Sequence, residues 1–319
     1  MKRRILSFAA RSVMAMVAVA ACAAEPAAES DEENLDSGWF QRDYAKLSVV
    51  PLGPGLRAVL GGGGNSVVVE GRGAALVVDT KCDVPLMPGA SSFARWVASE
   101  VKVPISDVVN THYHYDHAFG NPNFGGARVH VHPRAIPAMS REDGDFWREH
   151  PGAPLVPLTE ETTRLDVGGR IVEVHHAGRA HTASDVWVYV PDENVVITGD
   201  LIFNGYFPFF DDTEDGSSLS GTASALRAIA KAHPTARIVP GHGPLCTAAE
   251  LEAYARFLDD ADAVARAALA QGKSEREAGL LGEGRWDRKV LPSFHHGKLT
   301  WATSAATTRA AYRLARAGR

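Results

Sequence analysis

The chain has 319 residues, 45% of them hydrophobic and 22% charged, with a formal net charge of −5. This is ordinary globular composition, enough for one large domain with a real core. The acidic balance argues against nucleic acid as a partner, because no basic stripe is visible to neutralise phosphates.

Residues 1–24 differ from the rest. Lys2, Arg3 and Arg4 make a basic start, Ile5 to Ala21 is apolar apart from Ser7, Arg11 and Ser12, and small residues close the segment. The segment reads as a secretory signal, too short and too rich in small residues for a spanning helix. Val19-Ala20-Ala21-Cys22 resembles a bacterial lipobox, in which Cys22 is lipidated and becomes the new N-terminus. The competing reading is an ordinary cleavage site at Cys22-Ala23-Ala24. The lipobox is preferred because a lone Cys ending the apolar run is otherwise unexplained. The expected location is the cell envelope or periplasm, with a lipid anchor at Cys22 as the contact with membrane. Loss of residues 1–21 removes four basic residues and no acidic ones, so the mature charge falls from −5 to −9. Residues 25–42 follow as an acidic linker. Its first part, 25–36, carries six acids and almost nothing apolar, so it is expected to be a disordered tether.

A body at 43–247 and a helical extension at 248–319 complete the domain plan. Strands are expected at 46–51, 56–60, 66–70 and 74–79, separated by Gly-rich breaks such as Gly61-Gly62-Gly63-Gly64-Asn65. A helix is expected at 91–101, with Phe93, Val97 and Val101 at four-residue spacing. Asp107–Asn110 reads as a buried strand. A second half then repeats the pattern, with strands at 128–132, 170–176, 185–190, 194–198 and 236–239 and a helix at 218–232. Strand runs followed by a crossover helix, twice over, suggest an α/β layered protein of two similar halves. Residues 248–272 and 299–317 read as Ala-rich amphipathic helices packed on the body. Residues 273–298 carry no clear pattern. Besides Cys22 only Cys82 and Cys246 remain. A disulfide between them is possible in an oxidising compartment, but two buried free thiols is the expected state.

The densest chemistry lies at the end of the strand 107–110. Thr111-His-Tyr-His-Tyr-Asp-His117 packs His112, His114, Asp116 and His117 into six residues. Neutral imidazoles and a carboxylate suit Zn²⁺. Two zinc ions need about seven to eight protein ligands between them. Three further candidates each end an apolar run in a Gly-containing segment: His181, Asp200 in Ile-Thr-Gly-Asp, and His242 in Val-Pro-Gly-His-Gly. Glycine lets the backbone turn sharply beside a metal.

The ordered set His112, His114, Asp116, His117, His181, Asp200 and His242 resembles the metallo-β-lactamase superfamily of binuclear metallohydrolases. The resemblance covers roughly residues 45–245, and Asp79 in Leu-Val-Val-Asp-Thr matches the family's early supporting aspartate. It implies an α/β fold, a four-layer αββα sandwich with the site at the edge between two sheets. It implies two Zn²⁺ per chain, one held by His112, His114 and His181 and the other by Asp116, His117 and His242, with Asp200 bridging. It also implies a metal-bridging hydroxide available near neutral pH, which attacks the carbonyl of a small ester, thioester, lactone or amide. Asp116 would orient that hydroxide and pass a proton to the leaving group.

Particular positions narrow the branch. Aspartate at 200 resembles the glyoxalase II-like and general hydrolase branches, whereas many β-lactamases place cysteine or serine there. β-Lactamase activity is therefore an alternative, as is a single-iron persulfide dioxygenase of the same fold. Lactonases of the family carry tyrosine where this chain has Phe203. Ala180 stands where glycine is usual. His114 replaces the glutamate of the flavodiiron reductases, and the acidic charge conflicts with the nuclease branch.

The aromatic run Phe203, Tyr206, Phe207, Phe209 and Phe210 reads equally as a substrate wall or as core. Residues 140–156, with Asp145, Phe146, Trp147 and His150, are a candidate lid. His130, His132, His175, His176, His295 and His296 are expected to play surface roles. Tyr113 and Tyr115 read as motif spacers, with Tyr115 a possible substrate contact.

Overall fold

The computed structural model describes residues 47–82, 89–286, 288 and 303–319. The signal segment with Cys22, the acidic linker, His295 and His296 lie outside the described residues.

The first sheet starts as an antiparallel meander of β1 (Ser48–Gly53), β2 (Leu56–Leu60), β3 (Ser66–Glu70) and β4 (Ala75–Val78). Helix α1 (Gly89–Glu100) then leads into β5 (Ile105–Val109), which lies parallel to β4. The one-turn helix α2 (Tyr115–Ala118), β6 (Arg128–Val131), α3 (Ala135–Glu149) and β7 (Leu155–Pro157) follow. β6 and β7 continue the parallel edge, giving seven strands in sequence order. The second sheet holds β8 (Thr162–Val167), β9 (Arg170–Gly178), β10 (Asp185–Val190) and β11 (Val195–Phe203) in antiparallel pairs. After α4 (Leu219–Ala232), β12 (Arg237–His242) adds parallel to β11 and makes the order β12-β11-β10-β9-β8. Helices α5 (Ala248–Ala270), α6 (Glu275–Gly282) and α7 (Ser304–Arg316) close the chain.

Side-chain alternation assigns the layers. Val67 and Val69 of β3 meet Val174, Val188 and Ile197 in an apolar slab between the sheets. Their neighbour Val68 faces the other way, onto Phe93 and Val97 of α1 and Met139 of α3. On the second sheet Val196 and Ile238 pack on Leu226 and Ile229 of α4, Leu251 and Leu258 of α5, and Leu314 of α7. The result is helix, sheet, sheet, helix, as expected. Helix α5 starts at a capping box formed by Thr247 and Glu250, and α6 at one formed by Ser274 and Glu277. Among the described residues no helix is long and apolar enough to cross a membrane. Cys82 and Cys246 are both buried, and no disulfide joins them.

Several elements differ from the sequence reading. The strand at 128–131 pairs with β5 in the first sheet rather than opening the second half. β8 was not expected, because Thr162–Val167 carries only Leu165 and Val167 as apolar side chains and only Val167 is fully buried. The candidate lid is the end of α3, kinked at Asp143, followed by β7. Phe146 is buried and stacks on Phe119 with ring centroids 3.7 Å apart, so this stretch is packed layer rather than free loop. Asp143 and Gly144 are weak helix formers and masked the helical period there. β11 runs on past 198 to Phe203.

Candidate metal centre

Two parallel strand pairs, β4 with β5 in the first sheet and β11 with β12 in the second, deliver the site. Asp79 follows β4, His112 lies just beyond β5, Asp200 is carried by β11 and His242 ends β12. Crevices at the carboxyl ends of parallel strands are where α/β sheets place ligands. The single turn of α2 projects Asp116 and His117, with His114 at its N-cap. The turn bearing His181 is held by Asp185, which accepts from Thr182 N at 2.7 Å and Thr182 Oγ1 at 2.8 Å. The pairing of β11 with β12 shifts register on both sides of Gly199, between Ile197 and Gly199 and between Gly199 and Phe203. Gly199 permits this with a left-handed φ of 52°. A side chain there would meet Thr111 Oγ1 at 2.3 Å.

The seven residues converge as two groups. His112 Nε2 and His181 Nε2 each lie 3.0 Å from His114 Nδ1, and with Asp200 these donor atoms fall within 4.8 Å of one another. Asp116, His117 and His242 form the second group, with His242 Nε2 3.2 Å from Asp116 Oδ2. Asp200 stands between them. Its Oδ1 lies 3.0 Å from His117 Nε2 and 3.4 Å from His242 Nε2. Its Oδ2 lies 3.5 Å from His181 Nε2 and 3.8 Å from His112 Nε2.

The donor set fits divalent cations on an observation independent of its composition. His117 Nε2 and Asp200 Oδ1 are buried and, close as they are, form no hydrogen bond of acceptable geometry. A buried polar atom left so costs about 1–3 kcal/mol. A cation shared between them would remove that cost, and imidazole with carboxylate suits zinc.

Charge is arranged unevenly between the groups. Burial, with the neighbouring imidazoles, pushes His112 well below its ordinary value, and burial takes His181 down to about 3. Burial also opposes charge on His117 and His242, but the carboxylates win. Asp200, Asp116 and Asp79 hold His117 well above its ordinary value, and Asp200 and Asp116 raise His242 to about 9. Against their own burial, Asp116 and Asp200 are held low by His117 and His242. Against its own burial, His114 in the first group is raised too, by Asp211.

Supporting residues fix the rings. Asp79, fully buried, accepts from Thr111 N, Thr111 Oγ1 and His117 Nδ1, each at 2.8 Å. That bond protonates His117 at Nδ1 and leaves Nε2 facing the centre. Lys81 is fully buried too and was missed from sequence. Its Nζ donates to Val59 O at 3.0 Å and Gly64 O at 2.7 Å, pinning the glycine turn that backs Asp116 and His117. Burial pushes this ammonium down to about 7, against the pull of Asp79 and Asp116. Asp79 and Lys81 both adopt left-handed φ, 58° and 64°. Asp211 was missed as well: it accepts from Tyr113 Oη at 2.6 Å and faces His114 Nε2 at 3.4 Å. A charged residue inside Leu-Val-Val-Asp-Thr-Lys-Cys was the one available signal for Lys81. Asp211 had none.

The aromatic run divides. Phe203 stacks on His242 at 4.8 Å and 15°, and Phe209, half-buried, meets His114 edge-on at 5.9 Å. Phe207 and Phe210 are core. Tyr115 packs on Phe119. Of the outlying histidines, His130 is not at the surface but buried against Asp107 at 2.7 Å, because an inward position on β6 needed a partner. His132 packs on His176 and His175 on Trp187, and none of these joins either group.

A family model described as the metallo-beta-lactamase superfamily matches residues 59–242. The chain belongs to the metallo-beta-lactamase superfamily. It is 23% identical over 180 residues to the metallo-beta-lactamase type 2 of Bacillus cereus, covering 56% of this chain and 66% of that protein. It is 26% identical over 152 residues to the cytoplasmic hydroxyacylglutathione hydrolase isozyme of Saccharomyces cerevisiae, covering 46% and 53% respectively. The chain thus spans between about half and two thirds of the length of these superfamily relatives. Among solved structures, a metallo-beta-lactamase from Pontibacter korlensis aligns with TM-score 0.54 at 20% identity, covering 67% of this chain and 99% of that one. A sec-alkylsulfatase from a Pseudomonas species aligns with TM-score 0.62 at 16% identity, covering 85% of this chain and 51% of that one. These likenesses establish the fold.

Proposed function

We propose that this protein is a binuclear zinc-dependent hydrolase acting on the carbonyl of a small ester, thioester, lactone or amide. The observation that carries the proposal is Asp200, whose two oxygens face different groups of nitrogen donors. His112, His114 and His181 would hold one ion, and Asp116, His117 and His242 the other, with Asp200 shared. Bound there, two such ions would polarise a carbonyl oxygen and make hydroxide accessible near neutral pH. The remaining roles belong to the chain. Asp116, held ionised beside His117 and His242, is an acceptor that orients the attacking water and carries its proton toward the leaving group. Phe203 and Phe209 offer apolar faces beside the two groups, and Asp79 holds His117 in one tautomer.

The test uses purified protein, stripped of metal with a chelator and reconstituted with Zn²⁺. Both forms are assayed against panels of esters, thioesters, lactones, amides and β-lactams. Hydrolysis of one class, lost on stripping and restored by zinc, supports the proposal. Full activity in the stripped protein would sink it. Thioester turnover would align the chain with its yeast relative, and β-lactam turnover with its Bacillus relative.

We also infer export with a lipid anchor at Cys22, supported by the basic start, the apolar run and the Val-Ala-Ala-Cys sequence. Cys22→Ser should move the protein out of the membrane fraction, or leave it unprocessed. Mass spectrometry showing a mature N-terminus at Glu25 would instead establish ordinary secretion.

A further inference from the structure

The loop 211–217 touches the first donor group twice. Asp211, buried at the head of the loop, points Oδ2 at His114 Nε2. At the loop's other end Ser217 Oγ donates to the carbonyl of His181 at 2.7 Å. Further bonds stitch the loop to the His181 turn, from Ala183 N to Asp215 O at 2.6 Å and from Ser218 N to Ala180 O at 2.7 Å. Internally it closes on itself, since Ser217 N donates to Asp211 O at 2.6 Å and Thr213 N to Asp211 Oδ1 at 2.8 Å. From outside it is gripped by the end of the chain. Arg313 of α7 pairs with Asp212, and Arg319 donates to the carbonyls of Asp212 and Thr213. These arginines lie beyond residues 59–242, the part that the superfamily model matches.

His114 is the ring that needs such a partner. Its Nδ1 is the nitrogen that faces His112 Nε2 and His181 Nε2. For Nδ1 to offer a lone pair the proton must sit on Nε2, and a carboxylate accepting from Nε2 fixes both tautomer and ring angle. We propose that Asp211 is the positioning residue for His114, and that the C-terminal helix braces it through the 211–217 loop. The inference rests on the proposed ligand role of His114.

Asp211→Asn is the isosteric probe. It keeps an oxygen for Thr213 N but replaces the oxygen facing His114 with an amide that cannot accept. Zn²⁺ affinity is measured by competition with a chromophoric chelator, Co²⁺ loading by its visible spectrum, and integrity by thermal melting of the metal-free protein. Asp211→Asn should weaken one of the two metal sites by about 10–100-fold and alter the Co²⁺ spectrum, with metal-free melting unchanged. Tyr113→Phe removes the other partner of the same oxygen and should change affinity by less than about threefold, the direct route running to His114. Arg313→Ala removes a half-buried side chain that also pairs with Glu275 of α6 at 2.7 Å, and should weaken the same site by roughly threefold to tenfold through the loop. It also serves if Asp211→Asn does not fold. Wild-type affinity and spectrum in Asp211→Asn would overturn the positioning role, as would an equal loss in Tyr113→Phe. Unchanged affinity in Arg313→Ala would overturn the brace. His114→Ala separates the two levels: if it retains both metals, the ligand assignment fails rather than the role of Asp211.

Discussion

Gly64→Ala adds one methyl group at the back of the second donor group. Gly64 lies in the turn between β2 and β3, where its N–H donates to Asp116 O at 3.1 Å and its carbonyl receives Lys81 Nζ. A Cβ there would stand 2.3 Å from His117 Cε1 and 2.4 Å from His117 Nε2. Ordinary contact between such atoms is about 3.5 Å, so the overlap is on the order of 1 Å. His117 cannot retreat, because its ring is fully buried and its Nδ1 is tied to Asp79. The turn cannot retreat without breaking the bonds to Asp116 and Lys81. Overpacking of this kind costs about 1–3 kcal/mol. Since the displaced atom is the proposed donor Nε2, affinity at the second site should fall at least about tenfold, or ~1.4 kcal/mol. Gly126→Ala is the control, because a Cβ at that position meets nothing within 4 Å. Zinc titrations and melts of the metal-free forms are run side by side. Wild-type affinity and melting in Gly64→Ala would refute the claim that this turn presses directly on a ligand.

Asp79→Asn leaves one acceptor for three donors and should cost about 1–3 kcal/mol of stability with about 10–100-fold in second-site metal affinity; chelator competition showing no change would remove Asp79 from the support. Protons on His242, raised to about 9, stabilise the metal-free fold fully below the unfolded histidine value of 6.5 and less as pH climbs through 9. Zinc uptake must therefore expel protons at pH 7 and tighten as pH rises, and calorimetry in buffers of different ionisation heat reads this directly; equal heats in all buffers would contradict it. Phe209→Ala should raise KM more than it lowers kcat with little loss of stability, whereas Phe210→Ala should cost about 3–5 kcal/mol and leave KM unchanged. A reversed pattern would exchange their assignments to site and core.

The ligand candidates were legible because each pairs a reactive side-chain type with a neighbouring apolar run in the sequence, a local pattern. The layers were legible for the same reason, since Val67-Val68-Val69 and Val195-Val196-Ile197 announce strands buried on both faces. What escaped was long-range. Tyr113 and Asp211 are 98 residues apart, and nothing near either one announces the other. Lys81 reads as a surface charge until the turn at Gly64 closes over it. The outlying His130 looked like a surface residue because alternation tells which face a side chain takes, not whether that face is covered. The kink at Asp143 concealed a helix by breaking the periodicity that would have revealed it.

The central claim is that two groups of side chains, joined by Asp200, hold two metal ions. Native mass spectrometry of the reconstituted protein, run beside His181→Ala and Asp200→Ala, tests it most directly. The account predicts two zinc ions in the wild type, preferential loss of one in His181→Ala, and loosening of both in Asp200→Ala. Two tightly held ions in either variant, or no bound metal in the wild type, would contradict it.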